Sequence, residues 1–240
     1  MNKTKSAVLY ECSTKIKAIC FFYLIQYAAV SLINLIIGIS MGTFENVGTN
    51  ILEINSFIFV GIFGVLGFKE DFKMLIQNGF TRKYIFLSTA CFFAFMAGVM
   101  ALVDTIVGQS LHYLASNYES LFGSLYGYEN VFANWIWLTI LYMLILSLFY
   151  LGILVINKVG KMVSIYLGVI LGGIILLIVA LFRFILSAEL LSNIIEFIMK
   201  AMGFMTDGTI NYFFPVVTLL LLVSVLGSGS YIIIRRTELK

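Results

Sequence analysis

Charge is what this sequence has least of. Only 11% of its 240 residues are Asp, Glu, Lys or Arg, while 61% are hydrophobic and the mean hydropathy is +1.05. A soluble domain of this length carries about a quarter charged residues. Less than half of that leaves no room for a sizeable soluble domain, and the solvent for most of the chain is lipid. Cysteine is scarce too. Cys12, Cys20 and Cys91 form no CxxC pair, and Cys20 and Cys91 fall inside apolar runs, so they read as small buried hydrophobes. The one histidine, His112, has no Cys or Glu at metal-ligand spacing and reads as an interface residue. The one proline, Pro215, falls in the first turn of the last apolar run, where it costs little.

Catalytic motifs are missing as well. No GxxxxGK[ST] exists. The nearest approach, Gly160-Lys161, is followed by Met162 and lacks the earlier glycine, so this chain has no such motif with which to hydrolyse a nucleotide. There is no HExxH and no carboxylate pair spaced for acid–base work. Gly227-Ser228-Gly229 lacks the GxSxG pattern and a nearby histidine, and reads as small residues that ease helix packing. No enzyme, cofactor site or nucleic-acid partner is expected of the chain.

What is present is a series of long apolar runs. A spanning helix needs roughly 20 predominantly apolar residues. By that measure the chain is expected to be an all-α integral membrane protein with six spans, at about 18–40, 50–68, 85–109, 133–156, 162–186 and 212–234. The second is short and carries Glu53 near its start. A basic N-terminus followed by an apolar run resembles a signal peptide, but the run from Ala18 to Ile39 is too long for a cleaved one and reads as a retained first span.

Orientation follows from Lys and Arg, which cytoplasmic loops retain. Thirteen of the fifteen lie in the N-terminal segment, the second and fourth connections and the tail. The other side has Arg183 and Lys200, and its loops carry Glu45, Glu119, Glu129, Glu189, Glu196 and Asp207. This alternation places both termini in the cytoplasm and the protein in the cytoplasmic membrane. Residues 110–132 form the longest external loop. It has no Lys or Arg, and its tyrosines, with Trp135 and Trp137, suit an interfacial aromatic belt and packing. Residues 188–202 are amphipathic: Glu189, Ser192, Asn193, Glu196 and Lys200 recur at helical spacing, opposite Leu191, Ile194, Ile195, Ile198 and Met202. Too short and too charged to span, they predict an external interfacial helix before the last span. Asp207-Gly208 predicts a turn after it. Residues 1–17 predict a basic interfacial helix at the inner leaflet.

Asp104 is the one acidic residue well inside a span, which makes it a functional candidate. It lies 19 residues along the third span, roughly 28 Å at 1.5 Å per residue. Arg183 lies at similar depth in the fifth, so the two are expected to pair, as a packing salt bridge at the outer rim or as part of a substrate passage. Gly168 and Gly172, and the Ala90, Ala94, Gly98 series, predict close helix approach.

One stretch, GFKEDFKMLIQNGFTRKYIF (67–86), packs six charged residues between two apolar runs. Read as a helix from Lys69 to Asn78, it puts Phe72, Leu75 and Ile76 on one side, among Glu70, Asp71, Lys73 and Gln77. Asn78-Gly79 stops the helix, with Gly79 left-handed. Thr81 caps the third span, with Phe80 and Ile85 spaced as a hydrophobic staple. An apolar triplet amid charges points to docking, on the inner leaflet or in the groove of a soluble partner.

This segment, continued as far as ALVDTI (101–106), resembles the region between the second and third spans of small six-span ATP-binding cassette exporter permeases of Gram-positive bacteria, of the antimicrobial-peptide immunity or amphipathic-peptide export type. The likeness extends in layout to the whole chain. It implies that residues 69–80 are a coupling helix docking on a cytosolic ATPase through Glu70, Asp71, Phe72, Lys73, Leu75, Ile76, Asn78 and Gly79. It also implies a dimer with a second permease, the same or homologous, and ATP with magnesium on the partner ATPase. An amphipathic substrate is expected, since the spans offer few charges for a hydrophilic one. The alternative is a membrane sensor or immunity protein that binds a peptide or lipid without pumping.

Overall fold

The structure, a computed structural model, describes residues 3–42, 51–67, 72–114, 118–184 and 187–236, without the side chains of 3–11, 14, 73, 74, 183, 184 and 188. These residues form the helices α1 (Lys3–Met41), α2 (Glu53–Leu66), α3 (Lys73–Gln77), α4 (Arg82–Leu114), α5 (Leu121–Tyr126), α6 (Val131–Val159), α7 (Lys161–Phe184), α8 (Ala188–Ala201) and α9 (Phe213–Arg235). Among the described residues the only strand-like pairing is an isolated bridge between Phe204 and Ile210. An all-helical chain is what lipid demands, because every backbone N–H and C=O must be satisfied within its own segment.

Five helices, α1, α4, α6, α7 and α9, are long and apolar enough to cross a membrane. The chain is a multi-pass membrane protein by that measure. The expected second span is represented by α2, whose 14 residues measure roughly 21 Å against a hydrocarbon core of roughly 30 Å. The expected break between an N-terminal helix and the first span is absent. α1 is one helix of 39 residues, since neither Gly nor Pro interrupts the sequence from Lys3 to Ile37.

Helix α6 lies at the centre and packs on α2, α4 and α9, while α4 also holds α1. The α6 stripe Leu138, Tyr142, Leu146, Tyr150 and Leu154 recurs every four residues and is buried. It meets Phe92, Phe93, Met96 and Met100 of α4 within one core. Tyr142 reaches Asp104 while Tyr150 meets the ring of Phe93, so α4 and α6 run antiparallel. Close approach of α2 to α6 depends on Gly61 and Gly64. A Cβ on Gly64 would lie 2.8 Å from the Leu146 carbonyl oxygen. The small residues singled out in the sequence do not play this part: added Cβ atoms at Gly98, Gly168 and Gly172 meet nothing within 4 Å. The apolar window of α7 buries no residue in the chain. Cys20 and Cys91 are exposed, not buried, because each points off the bundle.

One end of the bundle gathers Lys15, with its ammonium 5.7 Å from the Phe63 ring centroid, and Arg82, whose Nη1 donates to the Arg235 carbonyl at 2.6 Å. The opposite end holds Ile51, whose N–H donates to the Glu119 carbonyl at 2.9 Å, together with α5 and the α8–α9 turn. Much of 110–132 is built into this end. Tyr118, Tyr126 and Trp137 are buried, and Tyr126 donates to the Met202 carbonyl at 2.8 Å while stacking on Phe204. Tyr113, by contrast, is 85% exposed, as a belt residue would be. Helix α8 forms as its spacing predicts, with Ser187 as its cap and a Lys200–Glu196 contact of 2.7 Å. The Asp207-Gly208 turn also forms. Gly208 has φ +80°, and Asp207 Oδ1 accepts from the Thr209 N–H and hydroxyl.

Candidate functional site

The charged stretch between α2 and α4 folds as a short helix and a tight stop. Gly79 sits at φ +74°. Its N–H donates to the Ile76 carbonyl at 2.9 Å, and the Phe80 N–H donates to the Leu75 carbonyl at 3.0 Å. These two bonds are a Schellman motif, the C-terminus that Asn78-Gly79 predicts. The Ile85 N–H then donates to the Thr81 carbonyl at 3.0 Å, so α4 begins at once, and Phe80 and Ile85 both join the core.

The apolar triplet does not face outward. Phe72 and Leu75 are each 2% exposed and belong to the core, and Ile76 packs against it. Burial against the chain's own helices makes them the anchor of the segment. The surface they leave is the exposed Gln77, Asn78 and Gly79. Glu70 and Asp71 lie outside the described residues, as does the side chain of Lys73.

Asp104 is buried, 5% exposed, and accepts a hydrogen bond from the Tyr142 hydroxyl. The hydroxyls of Tyr23 and Ser56 lie alongside the same carboxyl, so α1, α2, α4 and α6 all contribute to one polar centre. The expected pairing with Arg183 lies outside the described residues, because that side chain is among those not described. Among the described residues the centre holds a second carboxylate. Glu53, 2% exposed, opens α2 and faces α4 at Gly108, one helical turn beyond Asp104. A Cβ on Gly108 would stand 3.8 Å from Glu53 Oε1. That oxygen accepts from the Leu121 N–H at 3.2 Å, in the first turn of α5. Burial, with the Glu53 carboxylate close by, holds the Tyr118 phenol above its ordinary range, so it remains a donor.

The Tyr142 bond yields a direct expectation. Tyr142→Phe takes the donor from a buried carboxylate and is expected to cost about 1–3 kcal/mol. The check is the midpoint of thermal unfolding in detergent, with Tyr113→Phe, at an exposed site, as the unchanged control.

Between α4, α6 and α9 lies a cavity of about 480 Å³ lined by Phe86, Phe93, Met143, Tyr150, Val223 and Tyr231, with the hydroxyl-bearing Thr89, Ser147, Ser224 and Ser228 among them. Arg82 and Arg235 stand one turn beyond Phe86 and Tyr231 and mark its nearer end. The size is that of a small-molecule or lipid-chain site, and the lining is mainly apolar.

Three features of these sites escaped the sequence reading: the inward turn of Phe72 and Leu75, the Glu53–Asp104 neighbourhood, and Gly61 and Gly64. The last had a visible signal, two glycines three apart in an apolar helix. Comparison with protein-family models, with curated proteins and with solved structures finds no match for this chain.

Proposed function

We propose that the chain is the membrane-spanning permease subunit of an ATP-binding cassette exporter. In this reading it has six spans in the cytoplasmic membrane, α2 included, and both termini lie in the cytoplasm. Two copies, or this chain and a homologue, assemble with cytosolic ATPase subunits that supply ATP hydrolysis. The observation that carries the reading is the 72–81 joint. A short helix is anchored in the core by Phe72 and Leu75, stopped by a Schellman motif, and handed without a linker into α4. A rigid lever of that kind passes displacement from a docked partner into a spanning helix, which then tilts as a body. It stands at the end where Lys15, Arg82 and Arg235 gather, the end that the distribution of Lys and Arg assigns to the cytoplasm.

Two further features support the assembly. The face of α7 with Gly168 and Gly172 is open and suits close approach of a second permease. The α4–α6–α9 cavity, apolar with scattered hydroxyls, suits an amphipathic substrate moving along α4.

The docking surface gives the test. Gln77→Arg, on the exposed side of the joint, is expected to abolish co-purification with a co-expressed ATP-binding cassette ATPase while leaving the thermal midpoint of the permease unchanged. Retained binding would overturn the docking surface. If no such ATPase binds the wild-type chain, and substrate candidates bind it without stimulating ATP hydrolysis, the non-pumping sensor replaces the exporter.

A further inference from the structure

Small residues hold the α4–α6–α9 cavity open. A Cβ added to Gly227 would meet only Phe86, at 4.0 Å, and Ala90, Ser224 and Ser228 line the same space. Gly227 thus leaves room between α4 and α9, where its run was expected to bring helices together. Three of the lining hydroxyls are spent within their own helices. Thr89 donates to the Ile85 carbonyl at 3.0 Å, Ser224 to Leu220 at 2.8 Å and Ser230 to Leu226 at 2.9 Å. Among the described lining residues there is no Asp, Glu, Lys, Arg or His. A space of about 480 Å³ with this lining accepts hydrocarbon and gives a charged group nothing to bind.

Charge gathers at one end of the cavity. Arg82 precedes Phe86 by four residues on α4, and Arg235 follows Tyr231 by four on α9, so each stands on the cavity side of its helix. Lys158 ends the third wall, α6, at the same side. Arg82 Nη1 donates to the Arg235 carbonyl at 2.6 Å, one turn beyond the Phe86 and Tyr231 rings, whose centroids are 5.2 Å apart. That is the one hydrogen bond of Arg82 among the described residues, and a guanidinium has five N–H donors. The acidic residues of the same connections, Glu11, Glu70, Asp71 and Glu238, have side chains outside the description. Four of them against thirteen basic residues leave that end basic by nine, however they pair.

The height of the cavity matches one leaflet. From Val223 to Ile232, α9 rises about 14 Å at 1.5 Å per residue. A leaflet contributes half of a hydrocarbon core of roughly 30 Å. The basic end therefore falls at the headgroups of the leaflet whose chains the cavity would admit.

We infer that the cavity binds one acyl chain of an anionic phospholipid from that leaflet, with the phosphate held by Arg82 and Arg235. The chain fills space that no side chain fills, and the guanidinium forks match phosphate oxygens. A zwitterionic lipid brings its own cation to a place already basic, where like charges repel. This gives the cavity a ligand class, and it rests on the cavity and its basic end, not on an ATPase.

The test uses the full chain, purified in non-ionic detergent without any ATPase. Native mass spectrometry and thermal unfolding are followed as phosphatidylglycerol or phosphatidylcholine with the same acyl chains is added. Phosphatidylglycerol is expected to bind one per chain, to raise the midpoint, and to bind roughly 10-fold more tightly than phosphatidylcholine. Gly227→Leu fills the cavity away from the charged end and is expected to weaken this binding roughly 10-fold. Arg235→Gln, whose carbonyl can still accept from Arg82, is expected to weaken it about 5-fold, and Arg82→Gln about 10-fold. Lys161→Gln removes a base at the same end from α7, which contributes no lining residue, and is expected to change nothing. If Arg82→Gln does not fold, the other variants decide. Equal affinity for the two lipids overturns the assignment, as does undiminished binding in Gly227→Leu. An equal loss in Lys161→Gln and Arg235→Gln overturns it in favour of a diffuse basic surface. Displacement of the lipid by glycerol phosphate at the same concentration also overturns it, because the chain would then contribute nothing.

Discussion

Replacing Gly64 by leucine is expected to separate α2 from α6 and to produce the largest loss of stability of any single small-to-large change in the bundle. The new Cβ alone would stand 2.8 Å from the Leu146 carbonyl oxygen and 2.9 Å from the Phe149 Cβ. The first is backbone, which cannot rotate away as the end of a long side chain can. Overpacking of a tight core costs about 1–3 kcal/mol and occasionally more. The upper part of that range applies here, because relief requires moving a whole helix. α2 is also the shortest of the apolar helices, with 14 residues. The measurement is thermal unfolding with gel filtration in detergent. The control is Gly168→Leu, where an added Cβ meets nothing within 4 Å. Equal midpoints for the two variants would show that α2 and α6 are not packed as described.

Phe72→Ala is expected to free the 72–81 joint from the bundle. Phe72 is 2% exposed within the core, and deleting a buried phenylalanine side chain costs about 3–5 kcal/mol. The loss is local. Gly79 and its two backbone bonds stay possible, but the helix they terminate loses its anchor. Trypsin should then cut at Lys73 and Arg82 much faster than in wild type, while cleavage in the α8–α9 region stays the same. This outcome separates two roles for the same segment. A residue whose only duty was to touch a partner would leave the isolated chain's cleavage pattern untouched. A Phe72→Ala pattern identical to wild type would return Phe72 to the surface.

The difference between those roles is where the sequence stopped being enough. Spacing placed Phe72, Leu75 and Ile76 on one side of a short helix, and that side exists. Spacing is local, however, and it carries no information about whether a stripe faces the chain's own core, the leaflet or another protein. The same limit applies to Asp104. Its depth could be counted from the start of its span, while the Arg183 side chain expected at that depth lies outside the described residues. Which helix turns which face toward Asp104 depends on the packing order, and α6 supplies Tyr142 while α2 supplies Ser56 and Glu53. Small residues show the limit in reverse. Gly168 and Gly172 have the spacing for close approach, but helices approach closely only where a neighbour exists, and within the chain that is at Gly61 and Gly64.

What the sequence by itself determined was the solvent and the local geometry. Scarce charge and long apolar runs made the protein a membrane-spanning helical chain, because lipid leaves the backbone no partner but itself. Asn78-Gly79, Asp207-Gly208 and the amphipathic period of 188–202 set a helix stop, a turn and an amphipathic helix through interactions only a few residues long. Only the tertiary structure decided that Phe72 and Leu75 turn inward, and that α1 overruns the expected break. Only it brought two carboxylates 51 positions apart in the chain to adjacent turns of one helix face. The physical reason is that burial and charge pairing are properties of contacts between helices, and those contacts are fixed by packing on α6, not by neighbours along the chain.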